Sequence, residues 1–258
     1  MNKNIAIITG ASSGMGKEFA LTAMDHGRFD EIWCIARNQK NLEDLIPQIN
    51  TVVRPIPLDL TKRESFDILK QELKKEDLIV SLLINASGFG IFESFENTSW
   101  DNIEGMIDLN VKALVRMTKV VLPYMSIGSR IINIASMAAL QPVPYVDIYA
   151  ATKAFVLSFS RALDSELESR GIRCMAVCPY WTKTRFFDRA VDTAKAPVVK
   201  KYIVMYKPEQ IIKKAWKDLS KGKDVSIYGL VANGQAALCK ILPHGQVMKI
   251  WKKQQRLP

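Results

Sequence analysis

The segment YAATK places a phenol and an ammonium group four residues apart, at Tyr149 and Lys153, within a stretch that has a helical pattern. Residues at positions i and i+4 share one face of a helix. A phenol with a pKa of about 10 exchanges protons poorly at neutral pH, and a neighbouring ammonium group would lower that pKa by stabilising the phenolate. The spacing suggests a proton-transfer pair, although such pairs also occur by chance on helix surfaces.

A second candidate site lies where the first apolar run, residues 4–9, meets a helical pattern. The connecting segment TGASSGMG has glycines at positions 10, 14 and 16. These allow a tight turn, approach of the backbone to a pyrophosphate, and close packing of the helix on the strand. Amide groups at the start of the helix and the helix dipole favour phosphate. The spacing differs from G-x-G-x-x-G, so the glycines alone are weak evidence for a dinucleotide site.

The end of the second apolar run indicates which dinucleotide would bind. An NAD-binding unit usually has an acidic residue here, which binds the ribose hydroxyl groups. This chain has Ala36 followed by Arg37. A guanidinium group can bind a 2′-phosphate through two hydrogen bonds, so the sequence favours NADP. The alternative is that Arg37 is an ordinary surface residue beside a helix start.

These residues must be positioned by short apolar runs that alternate with amphipathic ones. Strands are predicted at residues 4–9, 31–36, 52–58, 80–86, 130–136, 173–178 and 224–228. Helices are predicted at about 15–27, 40–49, 62–76, 99–125, 148–169 and 208–220, with an irregular excursion at 185–207 that includes Pro197. The pattern predicts a single α/β domain with a Rossmann fold, a doubly wound parallel β-sheet flanked by helices. The site of such a sheet lies at the carboxyl ends of its strands.

The composition is that of an ordinary globular protein, with 258 residues, 48% of them hydrophobic and 24% charged. No apolar run reaches the roughly 18 residues that span a bilayer, and the N-terminus lacks the apolar region of a secretion signal. The four cysteines have no metal-ligand spacing, so we expect buried free thiols and no metal site. We therefore expect a cytoplasmic protein.

The net charge of +10 is concentrated near the C-terminus. Residues 195–258 contain 14 Lys and Arg residues but three acidic ones, and no acidic residue follows Asp224. This excess indicates an anionic partner, substrate or lipid surface, or else a solvated surface that keeps the protein soluble. Direct nucleic-acid binding is not expected, because no aromatic residues are interleaved with the lysines.

Taken together, the motifs resemble those of the short-chain dehydrogenase/reductase superfamily. The matching residues are TGASSGMG at 9–16, Asn85 in LINASG, Asn110 in DLNV, Ser136 in NIAS, and Tyr149 with Lys153. The match covers about residues 3–185 with order and spacing intact, and the combination is far more specific than any one motif. The resemblance implies an NADP(H)-dependent oxidoreductase that interconverts a ketone and a secondary alcohol by hydride transfer.

The resemblance also implies catalytic roles for four residues. Tyr149 would give a proton to the carbonyl oxygen during reduction and remove it during oxidation, and Lys153 would also bind the nicotinamide ribose. Ser136 would hydrogen-bond the substrate oxygen. Asn110 would fix a water relay to Lys153, unless its amide is merely satisfied by backbone groups.

Cofactor contacts are implied more broadly. The cofactor-binding positions are Gly10, Ser12, Ser13, Gly14, Met15, Gly16, Arg37, Asp59, Leu60, Asn85, Ala86, Ser87, Tyr149, Lys153, Pro179, Thr182 and Thr184. Asp59 resembles the acidic residue that contacts the adenine ring, although it could instead serve the start of a helix. Thr184 resembles the threonine that touches the nicotinamide carboxamide.

The substrate is implied less firmly, because the chain departs from the family pattern. Its Asn-Asn-Ala-Gly is Asn85-Ala86-Ser87-Gly88 here, and its Pro-Gly is Pro179-Tyr180 followed by Trp181, which should narrow the pocket. The predicted substrate-binding residues are Ser136, Met137, Tyr149, Tyr180 and Trp181. Further apolar candidates, which could instead be core residues, are Phe89, Ile91, Phe92, Ala138, Leu140, Val143, Phe186 and Phe187.

These apolar residues favour a bulky hydrophobic ketone or alcohol, as in a hydroxysteroid dehydrogenase acting on steroids or bile acids. A 3-oxoacyl-thioester reductase is the alternative enzyme, and a non-catalytic NADP(H)-binding sensor is the alternative from another class. Relatives are commonly homodimers or homotetramers, and we expect the same of this protein.

Residues 229–258 are predicted to form a basic C-terminal helical extension of the catalytic domain at 1–228. The extension could pack over the substrate pocket, join subunits or lie on an anionic membrane. Pro243 and Gly245 divide it into pieces too short to be stable alone. Our expectation is that residues 230–242 close the pocket while Lys249–Arg256 stays exposed, with at most a weak membrane-surface contact.

Overall fold

The computed structural model describes residues 2–192, 198–199 and 201–258. In this part of the chain seven parallel strands form one sheet with the order β3-β2-β1-β4-β5-β6-β7. The strands are β1 (Lys3–Thr9), β2 (Glu31–Ala36), β3 (Val52–Pro57), β4 (Leu78–Asn85), β5 (Arg130–Ile134), β6 (Arg173–Val177) and β7 (Val225–Ser226). The doubly wound Rossmann fold predicted from the sequence is confirmed.

Helices cover both faces of the sheet. They are α1 (Gly14–Thr22), α2 (Gln39–Glu43), α3 (Glu64–Lys74), α4 (Trp100–Ile107), α5 (Leu114–Val121), α6 (Asp147–Leu167), α7 (Phe186–Asp192), α8 (Pro208–Leu219), α9 (Leu230–Ile241) and α10 (His244–Gln255). On one face α1 packs beside α8, where Phe19 meets Trp216 edge to face with ring centroids 5.2 Å apart. The other face is covered by α3, α5 and α6, whose buried side chains include Leu69, Met117 and Leu163.

The order of the strands reverses beside β1. The chain passes from β1 outward to β3 and then crosses back to β4 on the other side of β1, which opens a crevice at the carboxyl ends of these two strands. The Thr9 hydroxyl oxygen accepts hydrogen bonds from the backbone N–H groups of Ala86 and Ser87 at 3.0 and 3.2 Å. Thr9 therefore fixes the glycine turn against the loop that follows β4.

Two predicted elements differ in the structure. The helix predicted at 99–125 is interrupted between α4 and α5 by a π-helical turn at Asp108–Ala113, a feature frequent at functional sites. The predicted irregular excursion contains α7, because Phe186 and Phe187 at its start pack into an aromatic cluster. The excursion also includes residues 193–197 and 200, so Pro197 lies outside the described residues.

The C-terminal residues form α9 and α10, which pack on the domain. Gln255 holds α10 by accepting from the Lys201 N–H and donating to the Lys201 carbonyl, both at 2.9 Å. The Trp251 indole donates to the Pro144 carbonyl at 2.9 Å. The Cys239 thiol, on α9, donates to the Gln141 side-chain oxygen at 2.8 Å. Long-range hydrogen bonds therefore fasten both helices to the body of the protein.

The four cysteines all lie in the described part of the chain and are buried free thiols, as predicted. Within that part, no helix combines the length and apolarity needed to cross a bilayer, and no cluster of potential metal ligands occurs.

The Gly16→Ala substitution should destabilise the fold. The new methyl group would overlap the carbonyl oxygen of Gly10 and lie 2.6 Å from its carbonyl carbon, where α1 crosses the end of β1. We expect the free energy of unfolding, measured by urea denaturation, to fall by about 1–3 kcal/mol. Gly234→Ala is the matched control, since no described heavy atom lies within 4 Å of the position of the new methyl group. Alanine also has a higher helix propensity than glycine, so this variant should be no less stable than the wild type. Equal stability of the two variants would contradict the close packing at Gly16.

Candidate active site

The predicted proton-transfer pair lies on α6, and both side chains are buried, with 8% of Tyr149 and 5% of Lys153 exposed. The Lys153 ammonium group donates to the Ile134 carbonyl at 2.8 Å, at the end of β5. It lies 5.8 Å from the centroid of the Tyr149 ring. Both residues line one pocket at the carboxyl edge of the sheet, so the i, i+4 spacing on α6 is a site feature and not a surface pair.

Ser136 follows β5 and faces the same pocket. Its hydroxyl oxygen accepts from the Ala138 N–H at 3.1 Å, which begins a 3₁₀ turn at Met137–Leu140. The Met137 N–H donates to the Pro179 carbonyl at 3.0 Å and ties this turn to the end of β6. Ser136 and Tyr149 line the same pocket, and the Ser136 side chain interacts with the Tyr149 hydroxyl group.

Burial dominates the protonation of this pair. Loss of solvent raises the pKa of Tyr149 to about 12, despite the opposing contact with Ser136. The same effect lowers the pKa of Lys153 to about 8. The expected net lowering of the Tyr149 pKa is therefore wrong for this structure, because burial outweighs the contact with Ser136. Stabilisation of the phenolate by Lys153 stays a prediction. At neutral pH the phenol keeps its proton and most Lys153 side chains stay charged.

Aromatic side chains enclose the Tyr149 ring. Phe92 and Phe186 pack against it with centroids 5.7 and 5.4 Å away. Gly90 brings the loop after β4 onto the ring, since a methyl group there would lie 2.8 Å from Cδ2 of Tyr149. The ring is held rigidly, with its hydroxyl group toward Ser136.

Asn110 lies in the π-helical turn and is 1% exposed. Its amide nitrogen donates to the Phe89 carbonyl at 2.8 Å and to the Thr152 hydroxyl at 3.0 Å, and its oxygen accepts from the Phe89 N–H at 3.0 Å. These bonds fix the loop after β4 against α6, so Asn110 acts as a positioning residue. Gly88 separates it from Lys153, and the water relay between them stays a prediction.

The glycine turn forms a cradle that fits a dinucleotide pyrophosphate. Gly10 and Gly14 have φ values of 67° and 55°, which favour glycine. A methyl group on Gly10 would lie 2.9 Å from the backbone of Ala86 and Ser87, and one on Gly14 would lie 3.4 Å from Thr184 Cγ2. No side chain among the described residues caps the first turn of α1, which begins after Ser13. Its amide groups are thus available to phosphate.

The predicted cofactor positions Arg37, Asp59 and Leu60 differ in their exposure to solvent. Arg37 is exposed after β2, and its charge helps to hold the pKa of Asp59 below its usual range although burial raises that pKa. The Asp59 carboxylate also accepts from the Thr61 N–H and hydroxyl at 3.0 and 2.8 Å, ahead of α3. The Leu60 side chain is buried in the core, so it offers a cofactor its backbone alone.

Asn85 requires a correction, because its side chain points away from the glycine turn. The amide nitrogen donates to the Asn133 side-chain oxygen at 2.9 Å and to the Thr118 hydroxyl at 3.3 Å. Asn133 in turn donates to Ser160 on α6 at 2.9 Å. The side chain therefore braces β4, β5 and the helices beneath them, and the neighbouring Ala86 lines the pocket instead.

The pocket encloses about 970 Å³ of empty space, part of it open to solvent. The predicted residues that line it are Met15, Ala86, Phe92, Ser136, Met137, Ala138, Val143, Tyr149, Lys153, Pro179, Tyr180, Trp181, Thr182, Thr184, Phe186 and Phe187. Phe89 and Ile91 are buried in the aromatic cluster behind the lining, and Leu140 also lies outside it. Ser12 and Ser13 belong to the cradle of the glycine turn, with Ser12 partly buried and Ser13 exposed.

Several lining residues were missed in the sequence. Gln141 follows the Ser136 turn, Gln235 comes from α9, and Trp251 and Gln254 come from α10. Trp251 stacks on Trp181 with centroids 6.3 Å apart. This side of the pocket is thus covered mainly by α10, and the expectation that residues 230–242 close the pocket is correct for Gln235 alone. The expectation that Lys249–Arg256 stays exposed is wrong for Trp251 and Gln255, which are buried. The four-residue spacing of Val247, Trp251 and Gln255 puts them on one helix face, and this is the sequence signal that α10 packs on the domain.

The chain matches the family model for short chain dehydrogenase over residues 4–195, which is most of its length. It therefore belongs to the short-chain dehydrogenase/reductase family of oxidoreductases, enzymes that act on CH–OH groups.

Individual relatives resemble the chain over most of the fold. The very-long-chain 3-oxoacyl-CoA reductase of Bos taurus is 31% identical over 250 residues, covering 90% of this chain and 75% of the relative. The 17-beta-hydroxysteroid dehydrogenase type 3 of Mus musculus is 34% identical over 188 residues, covering 69% of this chain and 60% of the mouse protein. A short-chain dehydrogenase from Sphingobium yanoikuyae, solved in complex with NADPH, is 26% identical with a TM-score of 0.76, covering 94% and 98% of the two chains.

Lys153 should titrate far below an ordinary lysine. Burial lowers its pKa, so the ammonium form is lost as the pH rises through about 8, and not near the usual value of about 10.4. An NMR titration of protein with isotopically labelled lysine side chains measures this, with the resonance assigned by its loss in Lys153→Met. The rate of carbonyl reduction should fall over the same interval. A midpoint above pH 10 would contradict the desolvation of Lys153.

Proposed function

We propose that this protein is an NADP(H)-dependent oxidoreductase that reduces a bulky, neutral, hydrophobic ketone to a secondary alcohol. The observation that carries the proposal is the convergence of Tyr149, Lys153 and Ser136 in one largely apolar pocket beside the glycine cradle. Ala36 takes the position of the acidic residue of NAD-binding units, and the exposed Arg37 that follows it supports a 2′-phosphate on the cofactor. The NADPH complex of the Sphingobium relative supports the same choice.

The residues of the pocket supply the groups that such a reduction needs. NADPH, when bound, supplies the hydride. Ser136 donates a hydrogen bond to the carbonyl oxygen and holds it beside Tyr149, whose raised pKa keeps the phenol protonated and ready to give its proton to that oxygen. Lys153 provides positive charge next to the cofactor ribose and favours the phenolate left after transfer. Carbonyl reduction is the direction that this protonation state supports.

The polarity of the pocket supports a neutral substrate. Apart from Lys153, the described lining residues carry no ionisable acid or base other than the phenols of Tyr149 and Tyr180. Three neutral amides, those of Gln141, Gln235 and Gln254, lie among aromatic and aliphatic side chains. A buried charge without a partner is strongly disfavoured, whereas a distant hydroxyl or carbonyl group can bind an amide. A steroid-like ketone has this chemistry.

A 3-oxoacyl thioester is the second candidate, because the acyl chain could fill the apolar pocket while its anionic carrier meets the basic C-terminal surface. The bovine relative, a very-long-chain 3-oxoacyl-CoA reductase, supports this alternative. A sensor that binds NADP(H) without turnover is disfavoured, since such a protein has no use for a buried Tyr149 and Lys153 together.

Self-association is part of the proposal. Trp100 at the start of α4 is 74% exposed, and Phe155 on the neighbouring α6 is also exposed. Ile107 lies at the far end of α4. Large apolar side chains on two adjacent helices support a homodimer or homotetramer formed through this surface.

Tyr149→Phe should remove the proton donor and keep the ring packed against Phe92 and Phe186. The assay measures NADPH consumption over a panel of steroid ketones, 3-oxoacyl thioesters and sugars. With a substrate that the wild type reduces, the rate of the variant should be lower by about 10²–10⁴, with NADPH affinity unchanged. Tyr124→Phe is the matched control, because that phenol lies just before the start of β5, at the opposite end of the strand from Ser136, and does not line the pocket. Retention of most of the turnover would refute the mechanism. NADPH binding with no consumption by the wild type would favour the sensor.

The double substitution Ala36→Asp with Arg37→Gln should reverse the cofactor preference, because a carboxylate would then face the 2′-phosphate. We expect the wild type to bind NADPH more tightly than NADH, and the variant to bind NADPH roughly tenfold or more weakly than the wild type does. Fluorescence titration with both cofactors measures this without a substrate. Arg28→Gln, an exposed arginine before β2, should leave both affinities unchanged. Equal wild-type affinities would show that Arg37 does not bind the phosphate.

A further inference from the structure

The outer face of α9 is apolar and uncovered. Leu230 is 92% exposed and Ile241 79%, and Leu238 between them is also exposed. These residues recur at helical spacing, with Gly234 and Ala237 completing the same side of the helix. We call the exposed side chains of Leu230, Val231, Leu238, Ile241 and, on α10, Ile250 the tail face.

The inner face of the same helix is already packed. Ala232 and Ala236 are buried in a cluster with Met137 and Tyr180 on the body of the protein, and Cys239 is buried against Gln141. The helix is therefore apolar on both sides, although one side alone is needed to hold it in place. Several large apolar side chains exposed along one helix indicate an interaction site.

The outer side of α10 is basic. Val247, Trp251 and Gln255 are buried, and Lys249, Lys253 and Arg256 recur at helical spacing on the opposite side, where they are exposed. No acidic residue follows Asp224 anywhere in the chain. The two consecutive helices thus present an apolar surface next to a purely cationic one.

Both outer surfaces face away from the same pocket, because Gln235 of α9 and Gln254 and Trp251 of α10 line it from the inside. We propose that the tail face docks on an anionic lipid bilayer, with the apolar side chains of α9 in the acyl region and the cations of α10 on the headgroups. Apolar surface combined with unopposed positive charge is the chemistry that such an interface binds. The cationic side also disfavours a second copy of this chain, whose matching surface repels it.

One consequence rests on the proposed function. If the substrate is a hydrophobic ketone, docking of the tail face would place the bilayer directly outside the wall formed by α9 and α10, where such a substrate dissolves. Docking itself does not depend on this consequence and is measured without substrate.

The test is cosedimentation of the full-length protein with vesicles of phosphatidylcholine alone or with added phosphatidylserine. We expect at least roughly tenfold stronger binding to the anionic vesicles, weakened by salt. Leu230→Ser with Ile241→Ser should reduce that binding by roughly tenfold. Lys249→Gln, Lys253→Gln and Arg256→Gln together should abolish the preference for anionic lipid. Ile127→Ser, which is 86% exposed and outside the tail face, is the matched control and should bind as the wild type does.

Unchanged NADPH affinity and unfolding midpoint in each variant show that the fold is intact. Absence of wild-type binding to anionic vesicles would overturn the proposal, as would binding that the Leu230 and Ile241 substitutions leave unchanged. Sedimentation equilibrium gives a further check. A wild-type oligomer that dissociates when Leu230 and Ile241 are replaced would assign the tail face to subunit contact and also overturn it.

Discussion

The burial of Tyr149 beside Lys153 is the constraint on which the site depends. An ammonium group removed from water needs a fixed acceptor, and here the Ile134 carbonyl provides it at the point where β5 ends. This bond sets the position of α6 relative to the sheet edge. Asn110 and Thr152 then secure the loop after β4 against the same helix. The same hydrogen bonds thus set the positions of the candidate catalytic residues and hold β5, α6 and the loop after β4 together.

The sequence predicts most of this arrangement because it marks where strands end. The glycine turn follows the apolar run that forms β1, and Ser136 ends the run that forms β5. Lys153 lies on the helix that follows Ser136, and the structure brings Ser136 and Lys153 into one pocket beside the turn. What spacing does not give is the side toward which a strand-end side chain points. Asn85 therefore matches its motif yet faces Thr118, and Leu60 faces the core.

The C-terminal helices show a second limit of sequence patterns. Both α9 and α10 contain enough apolar residues to cover the pocket, so composition could not choose between them. Which helix covers the pocket depends on contacts between residues distant in sequence. These are the hydrogen bond from Trp251 to Pro144 and the pair of hydrogen bonds between Gln255 and Lys201. With α10 held in this way, α9 needs only its small inner residues for packing. Its large apolar residues are then directed outward.

Desolvation also explains where charge is placed on this molecule. The burial that raises the pKa of Tyr149 would also penalise a charged group of the substrate next to it. The cations proposed to meet anions lie at exposed positions instead, Arg37 after β2 and Lys249, Lys253 and Arg256 on α10. At these positions water solvates the charges, so they carry no desolvation cost. The proposed substrate contacts, by shape and by the amides of Gln141 and Gln235, are thus separate from these exposed cations, so a change of charge at Arg37 or on α10 should leave the proposed proton transfer undisturbed.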